Sequence, residues 1–331
     1  MEVRNGAMGM EVTGALDSAA RTITRRLKIQ TRSALVLVVG AVIVAGWLAW
    51  RRSSATAAWR AFDGTRAFGD LQNVTRLGPR PPGSAAHDEA CQFISTELTA
   101  DGIEVWHDNF TAATPAGDIA MTNVIGVIPG ERSWVVVVAG HYDTARLEGI
   151  RFVGANDGGS STGLLLELAR VLAGRKNRLT YWLVFFDGEE ALHQWSATDS
   201  LYGSRHMAEQ LAVDGRLKKL RALILVDMVG DRHLNILRES HSTPWLSALV
   251  FRSARELGYA SSFSGGTYPV EDDHLAFLKR GVPAVDIIDL IPFKSYHHTE
   301  ADTVDKCSPE SLALVGRVVL ASLDKLERSG R

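Results

Sequence analysis

Five short stretches of the chain carry residues able to do chemistry, and most of them follow an apolar run. His141-Tyr142-Asp143 follow WVVVVAG (134–140), and Asp157 sits in the glycine-rich stretch GANDGG. Gly188-Glu189-Glu190 follow LTYWLVFFD (179–187), Asp227 follows RALILV, and His297-His298-Thr299 come shortly after VPAVDIIDL (282–290). If the strand geometry continues, His141 and Asp143 share a face, so the carboxylate can orient the imidazole. Singly, each residue has a plain explanation. An Asp before a helix is usually a cap, and adjacent glutamates are usually a solvated pair. Asp227 is harder to dismiss, because a carboxylate within an apolar run must be paired or coordinated. Together the set supplies one or two histidines and three carboxylates from separate segments. Mixed imidazole and carboxylate donation with one open position suits a catalytic zinc. Of the two neighbouring glutamates, whose side chains diverge, one can bind the ion while the other stays free as a base.

Such convergence needs a scaffold that brings strand ends together, and open α/β sheets place their sites at the carboxyl ends of strands. The pattern predicts a helix over 84–100, strands over 103–110 and 121–130, and buried strands over the four apolar runs named above. Further helices are expected at 161–174, 200–213, 243–257, 273–280 and 308–327. This alternation predicts an α/β three-layer sandwich with a mostly parallel, mixed central sheet.

A length of 331 residues fits one large domain plus appendages. With 46% apolar and 22% charged residues, disorder and coiled coil are excluded as the main architecture. A net charge of −2 argues against a nucleic-acid partner. The charge is unevenly spread: residues 1–52 hold eight Lys/Arg against three acids, leaving 28 basic and 35 acidic residues beyond them. All ten histidines lie in that acidic body.

Ser33 to Trp50 is an uncharged run bounded by Arg32 and by Arg51-Arg52. At helical rise it spans about 27 Å, enough for a bilayer core. The expected organisation is a basic tail (1–32), a transmembrane anchor (33–50), a linker (51–64) and a catalytic domain (65–331). A signal peptide cleaved near Ala55-Thr56-Ala57 is the rival reading of the leader. Basic residues before the span favour a cytoplasmic N-terminus, with the body on the outer side of the membrane, whether periplasmic, lumenal or extracellular. Cys91 and Cys307 lack CxxC partners and read as small buried residues.

The order of His-x-Asp, an Asp in a glycine-rich turn, Glu-Glu, Asp and a late His resembles the zinc-dependent aminopeptidase superfamily of bacterial leucyl aminopeptidase type. Within it, FFDGEEALHQWSATDSLYGSRHMA (185–208) is similar to the matching segment of glutaminyl-peptide cyclotransferases. Glu271-Asp272-Asp273-His274, the following FLKRGVPAV and the late HTEAD (298–302) fit the same family. The resemblance covers roughly 65–327 and implies a zinc exopeptidase-like fold. It implies that Asp157, Glu190 and His298 hold zinc and that Glu189 is the general acid/base. Asp227 and Asp272 would form an acidic network beside Glu189, and Trp195 and Phe293 would wall the substrate pocket. The implied reaction is closure of an N-terminal glutaminyl residue of a peptide or protein to pyroglutamate with loss of ammonia. Glutamyl termini would be poorer substrates. Some members of the family are secreted or carry a single N-terminal anchor, which suits the leader.

The chain departs from the family pattern in three places. Its turn after Asp157 is glycine-rich, as in the aminopeptidases. His297 stands where the cyclotransferases usually have a tryptophan, so it can coordinate, stack in the pocket or lie at the surface. Gly140 and Thr162 replace the disulfide cysteines of some animal members. His141 and Asp227 leave a second zinc ion open, and with two ions an activated water would cleave a peptide bond instead, making an aminopeptidase the alternative. A membrane-tethered binding module without catalysis is the third reading. His274, after two acids, is expected behind the ligands rather than among them, as is Asp143. His87, His107, His206, His233 and His241 are expected to lack convergent acidic partners.

Overall fold

The structure, a computed structural model, describes residues 58–289 and 294–329 together with Gly40. Ala58–Arg331 forms a compact unit by itself. The expected basic tail, the apolar run 33–50 and residues 51–57 of the expected linker lie outside the described residues, apart from Gly40. Among the described residues no helix is long and apolar enough to cross a membrane.

Among the described residues eight strands are present: β1 (Glu104–Thr114), β2 (Gly117–Ile128), β3 (Arg132–His141), β4 (Leu179–Phe186), β5 (Leu220–Asp227), β6 (Ile236–Glu239), β7 (Phe263–Tyr268) and β8 (Ala284–Ile288). The α-helices are α1 (Gly64–Arg76), α2 (Ala85–Ala100), α3 (Gly159–Ala173), α4 (Tyr202–Val213), α5 (Pro244–Glu256), α6 (His274–Leu278) and α7 (Pro309–Ser329). Six strands form one sheet in the order β1-β2-β4-β3-β5-β8. Pairing is antiparallel at β1/β2 and β2/β4 and parallel at β4/β3, β3/β5 and β5/β8. The mixed, mainly parallel sheet predicted from the apolar runs is therefore present.

Period-two alternation divides the central strands between two cores. Val136 and Val138 of β3 join residues of α1, α2, α3, α5 and α7 on one face. Val135, Val137 and Ala139 join residues of α4 and α6 on the other. Both faces are covered, which is why β3, β4 and β5 read as unbroken apolar runs. Helix starts follow local chemistry: Ser84 caps α2 by accepting from the His87 amide at 3.2 Å. Asp63 caps α1 by accepting from Thr65 and Arg66.

One feature has no counterpart in the predicted elements. β6 and β7 pair in parallel as a separate two-stranded sheet, with β6 in contact with β8. β6 is only four residues long and β7 contains Gly265-Gly266, so neither shows the branched apolar run that marks a strand. The helix expected at 273–280 is shorter, spanning His274–Leu278.

Candidate metal centre and active site

Because β3, β4, β5 and β8 run parallel, their carboxyl ends meet along one edge of the sheet, and the chemical residues gather there. His141 ends β3 and is 2% exposed. Its Nε2 lies 3.1 Å from Asp157 Oδ1 and 3.2 Å from Asp227 Oδ1. Its Nδ1 lies 3.5 Å from Asp143 Oδ1, on the side the strand geometry requires. Asp143 in turn accepts the amides of Glu189 at 3.2 Å and Glu190 at 3.3 Å, tying the β3 end to the loop after β4. That loop is held from its other side by α4. The amides of Leu201, Tyr202 and Gly203 donate to the carbonyls of Glu189, Gly188 and Asp187. Gly203 has to be glycine, since a Cβ there would collide with the Asn123 amide oxygen and the Asp187 carbonyl.

Asp157 and Glu190 approach the last histidines from the other side. His298 Nε2 lies 3.0 Å from Glu190 Oε1 and 3.4 Å from Asp157 Oδ2. His297 Nε2 lies 3.5 Å from the same Asp157 oxygen, and its ring stacks on that of His298 with centroids 3.9 Å apart. Asp302 accepts the amides of Asn156 at 2.8 Å and Asp157 at 3.1 Å, which sets the turn that presents Asp157. Arg80, fully buried, donates to the carbonyls of Tyr142, Val153 and Gly154 and so joins this turn to the loop after β3.

Among the described residues the non-glycine positions with positive φ are Leu201 (54°), Met228 (48°) and His298 (53°). All three belong to this edge: Leu201 holds the Glu189 carbonyl, Met228 follows Asp227, and His298 is itself a donor. Backbone of this kind persists only where the surroundings over-determine it, and it concentrates at functional sites.

The electrostatics are those of a carboxylate cluster short of positive charge. Burial pushes the Glu189 carboxyl well above its ordinary range; Glu190, Asp272 and Asp273 push the same way against the pull of His141. Burial and neighbouring Asp157 raise Glu190 to about 7. Burial, with Asp227 and Asp273, drives Asp272 well upward. Asp157 is the exception: burial works against its charge, yet the imidazoles of His141 and His298 hold it well below the usual range.

Two trios of donor atoms each lie within 4.8 Å of one another: Asp157, His297 and His298, and His141, Asp157 and Asp227. Asp157 belongs to both, and its Oδ2 is a buried oxygen with no hydrogen-bond partner. Carboxylate and imidazole donors around an unsatisfied buried oxygen fit a divalent cation such as zinc. Glu190 belongs to neither trio but reaches one of them through His298.

A cavity of about 380 Å³ opens over these donors. Its polar floor includes Asp157, Glu189, Glu190, Asp227 and Asp272; Trp195, Tyr268, Pro269, Val270 and Ile288 supply apolar wall. Trp195 thus lines the cavity, whereas Phe293 lies outside the described residues. Tyr268–Val270 and Ile288 were not predicted; the only sequence hint is that YPV directly precedes Glu271-Asp272-Asp273-His274. His297 is not a surface residue: it lines the pocket and stacks on His298. His274 is fully buried, 3.0 Å from Glu239 Oε2, and belongs to neither donor trio.

Three histidines differ from the sequence-based expectation. His87 is buried and lies 2.7 Å from Asp187, His206 is 3.2 Å from Asp108, and His241 is 2.8 Å from Glu239. Each partner is remote in the chain or on another segment, except for Glu239, so spacing could not reveal the pairs. Cys91 and Cys307 are both free thiols.

Peptidase family M28 matches residues 123–323. The glutaminyl-peptide cyclotransferase of Drosophila melanogaster is 30% identical over 271 residues, covering 73% of this chain and 76% of the relative. The crystal structure of an Acidobacteriales bacterium glutaminyl cyclase superposes with a TM-score of 0.78 at 43% identity, covering 81% of this chain and 96% of that one. A Zn-dependent exopeptidase from Parabacteroides distasonis superposes with a TM-score of 0.73 at 27% identity, covering 79% and 98%.

Proposed function

The chain belongs to peptidase family M28 and, within it, to the glutaminyl-peptide cyclotransferases, and on that premise we propose that it converts N-terminal glutaminyl residues of peptides or proteins to pyroglutamate. The α-amine attacks the side-chain γ-carbonyl carbon, the bond to the amide nitrogen breaks, and ammonia leaves. One proton passes from the attacking amine to the departing nitrogen, so the reaction needs a single group that both accepts and returns it. Glu189 fits that part. The observation that carries the reading is that Glu189, a residue 7% exposed, lines the pocket beside the donor cluster with its carboxyl pushed up by burial. A carboxylate made more basic by burial takes an amine proton more readily than an exposed one. Asp227 and Asp272, at the pocket floor, would complete the acidic network around it.

Asp157, Glu190 and His298 would hold a zinc ion, and His141 with Asp157 and Asp227 offers a place for a second. When bound, zinc supplies a Lewis acid that polarises the γ-carbonyl and offsets the negative charge that develops on its oxygen. Trp195 and the wall formed by Tyr268, Pro269, Val270 and Ile288 would keep water away and fold the substrate chain for attack on itself.

The His141, Asp157 and Asp227 trio favours one alternative, an aminopeptidase in which these residues would hold a second ion and Glu189 would serve as base toward water. One assay separates the readings. Incubation with a Gln-initiated peptide should release ammonia and leave a blocked N-terminus, and chelation should stop this until zinc is restored. Free amino acid in place of ammonia would make the chain a peptidase, and neither product from zinc-loaded protein would make it a binding module.

The uncharged run 33–50 supports attachment to a membrane through one N-terminal span, with the basic tail cytoplasmic and the catalytic body on the outer side. Protease added to sealed cells or vesicles should then remove the body and spare the tail; protection of the body would reverse the orientation.

A further inference from the structure

Resting on the reading of a zinc centre at Asp157, Glu190 and His298, we infer that His297 is an additional ligand of that ion, donating Nε2 from a position that the family usually gives to an aromatic wall. Three observations carry this. The first is distance. Nitrogen and oxygen donors bind zinc at about 2.0–2.1 Å, so neighbouring donors of a tetrahedral shell stand roughly 3.3 Å apart. Asp157 Oδ2 is 3.4 Å from His298 Nε2 and 3.5 Å from His297 Nε2, and all three donor atoms lie within 4.8 Å of one another. The second is the state of the oxygen they share. Asp157 Oδ2 is buried, and the two imidazole nitrogens stand 3.4 and 3.5 Å from it, beyond the usual hydrogen-bond distance and close to the spacing of two donors on one ion.

The third observation is the backbone. Neighbouring side chains on an extended strand point to opposite faces, so consecutive histidines would ordinarily diverge. Here His298 has φ of 53°, and turns close from His297 N to Lys294 O at 2.8 Å and from Thr299 N to Tyr296 O at 3.1 Å. The result is two rings stacked with an interplanar angle of 19°, both presenting Nε2 to one carboxylate oxygen. A wall residue needs no such convergence, because stacking alone is satisfied by a ring whose nitrogens point anywhere.

Asp157, Glu190, His298 and His297 would make a shell of four protein donors. Such a shell would retain its ion more firmly than a three-ligand one. The test compares the full chain with His297→Trp, His297→Ala and His298→Ala. Zinc affinity is read by competition with a chromogenic chelator, and the ligand set by the visible spectrum of the cobalt(II)-substituted protein. Circular dichroism of the metal-free proteins checks that each variant folds. Expected is a loss of zinc affinity of about 10–100-fold in both His297 variants, with an altered cobalt spectrum in each. His298→Ala should lose at least as much. If His297→Trp keeps the wild-type affinity and cobalt spectrum while His298→Ala loses both, His297 is a wall residue and the inference is overturned. If the wild-type chain takes up no zinc, the metal reading falls and the inference falls with it. If the tryptophan variant cannot fold, the alanine variant decides by the same two readouts.

Discussion

The Glu189 side chain is made useful by its surroundings. Its backbone is fixed twice, through its amide to Asp143 and through its carbonyl to Leu201, so the carboxyl is delivered to the pocket by a loop held at both ends. Glu190, one residue on, has its amide fixed by the other oxygen of Asp143 but turns toward His298. The two side chains therefore diverge, Glu190 toward His298 and Glu189 toward His141, which suits the proposed split between proton transfer and metal ligation. Glu189→Gln should lower turnover by about 10²–10⁴-fold while leaving zinc content and thermal stability close to wild type. Retained turnover in that variant would remove Glu189 from the role. The ligand-type residues were legible in the sequence because a carboxylate or histidine at the end of an apolar run has few other reasons to be there. His87 was not. Its acid, Asp187, follows it by 100 positions, and only the antiparallel entry of β2 beside β4 brings that loop to α2.

Between the elements, two buried side chains hold the loops in register. Arg80 precedes α2 yet donates to carbonyls of the loop after β3 and of the turn before α3, at 2.6–3.0 Å. Arg80→Lys keeps the charge but cannot reproduce the planar fork, leaving buried carbonyls unpaired. It should cost about 3 kcal/mol, or roughly 6 °C in Tm, and weaken zinc binding by moving Asp143 and Asp157. A variant that melts and binds zinc like wild type would show that the loops hold themselves. Glu239, ending β6, plays the matching part on the far side. It accepts from the amides of His241, Ser242 and Val270 and lies 3.0 Å from the His274 ring, so it steadies both α6 and the YPV wall. Burial would raise its carboxyl, but the His274 ring and these donors win and hold it at about 2. A depressed carboxyl stabilises the fold above its unfolded value of about 4.3 and loses that contribution as pH falls toward 2. Wild-type Tm should therefore drop over that window, and Glu239→Gln should lower Tm at neutral pH while flattening the drop. Equal acid sensitivity in both proteins would rule Glu239 out as the cause. The β6–β7 ribbon that presents Glu239 escaped the sequence because its strands are short and glycine-bearing, and long-range pairing alone defines them.

For the whole molecule, the packed unit starts at Ala58, and Phe62 is buried in the main core against α7. A chain beginning at residue 58 should fold, bind zinc and turn over substrate in solution, whereas the full chain should sediment with membranes through the run 33–50. An insoluble or inactive truncated chain would mean that the first 57 residues contribute to the catalytic body. The sequence by itself determined the strands of the six-stranded sheet, the fold class and the kinds of donor. A strand covered on both faces must be apolar throughout, and a charged residue at its end then stands out against that background. Which donors meet was decided only by tertiary structure. Asp157 is shared between two trios, His297 lies parallel to His298, and Tyr268–Val270 close the pocket because distant loops are clamped by Arg80, Asp143, Asp302 and Glu239. Those clamps act through backbone carbonyls and amides, which every residue possesses, so no pattern of side chains along the chain could announce them.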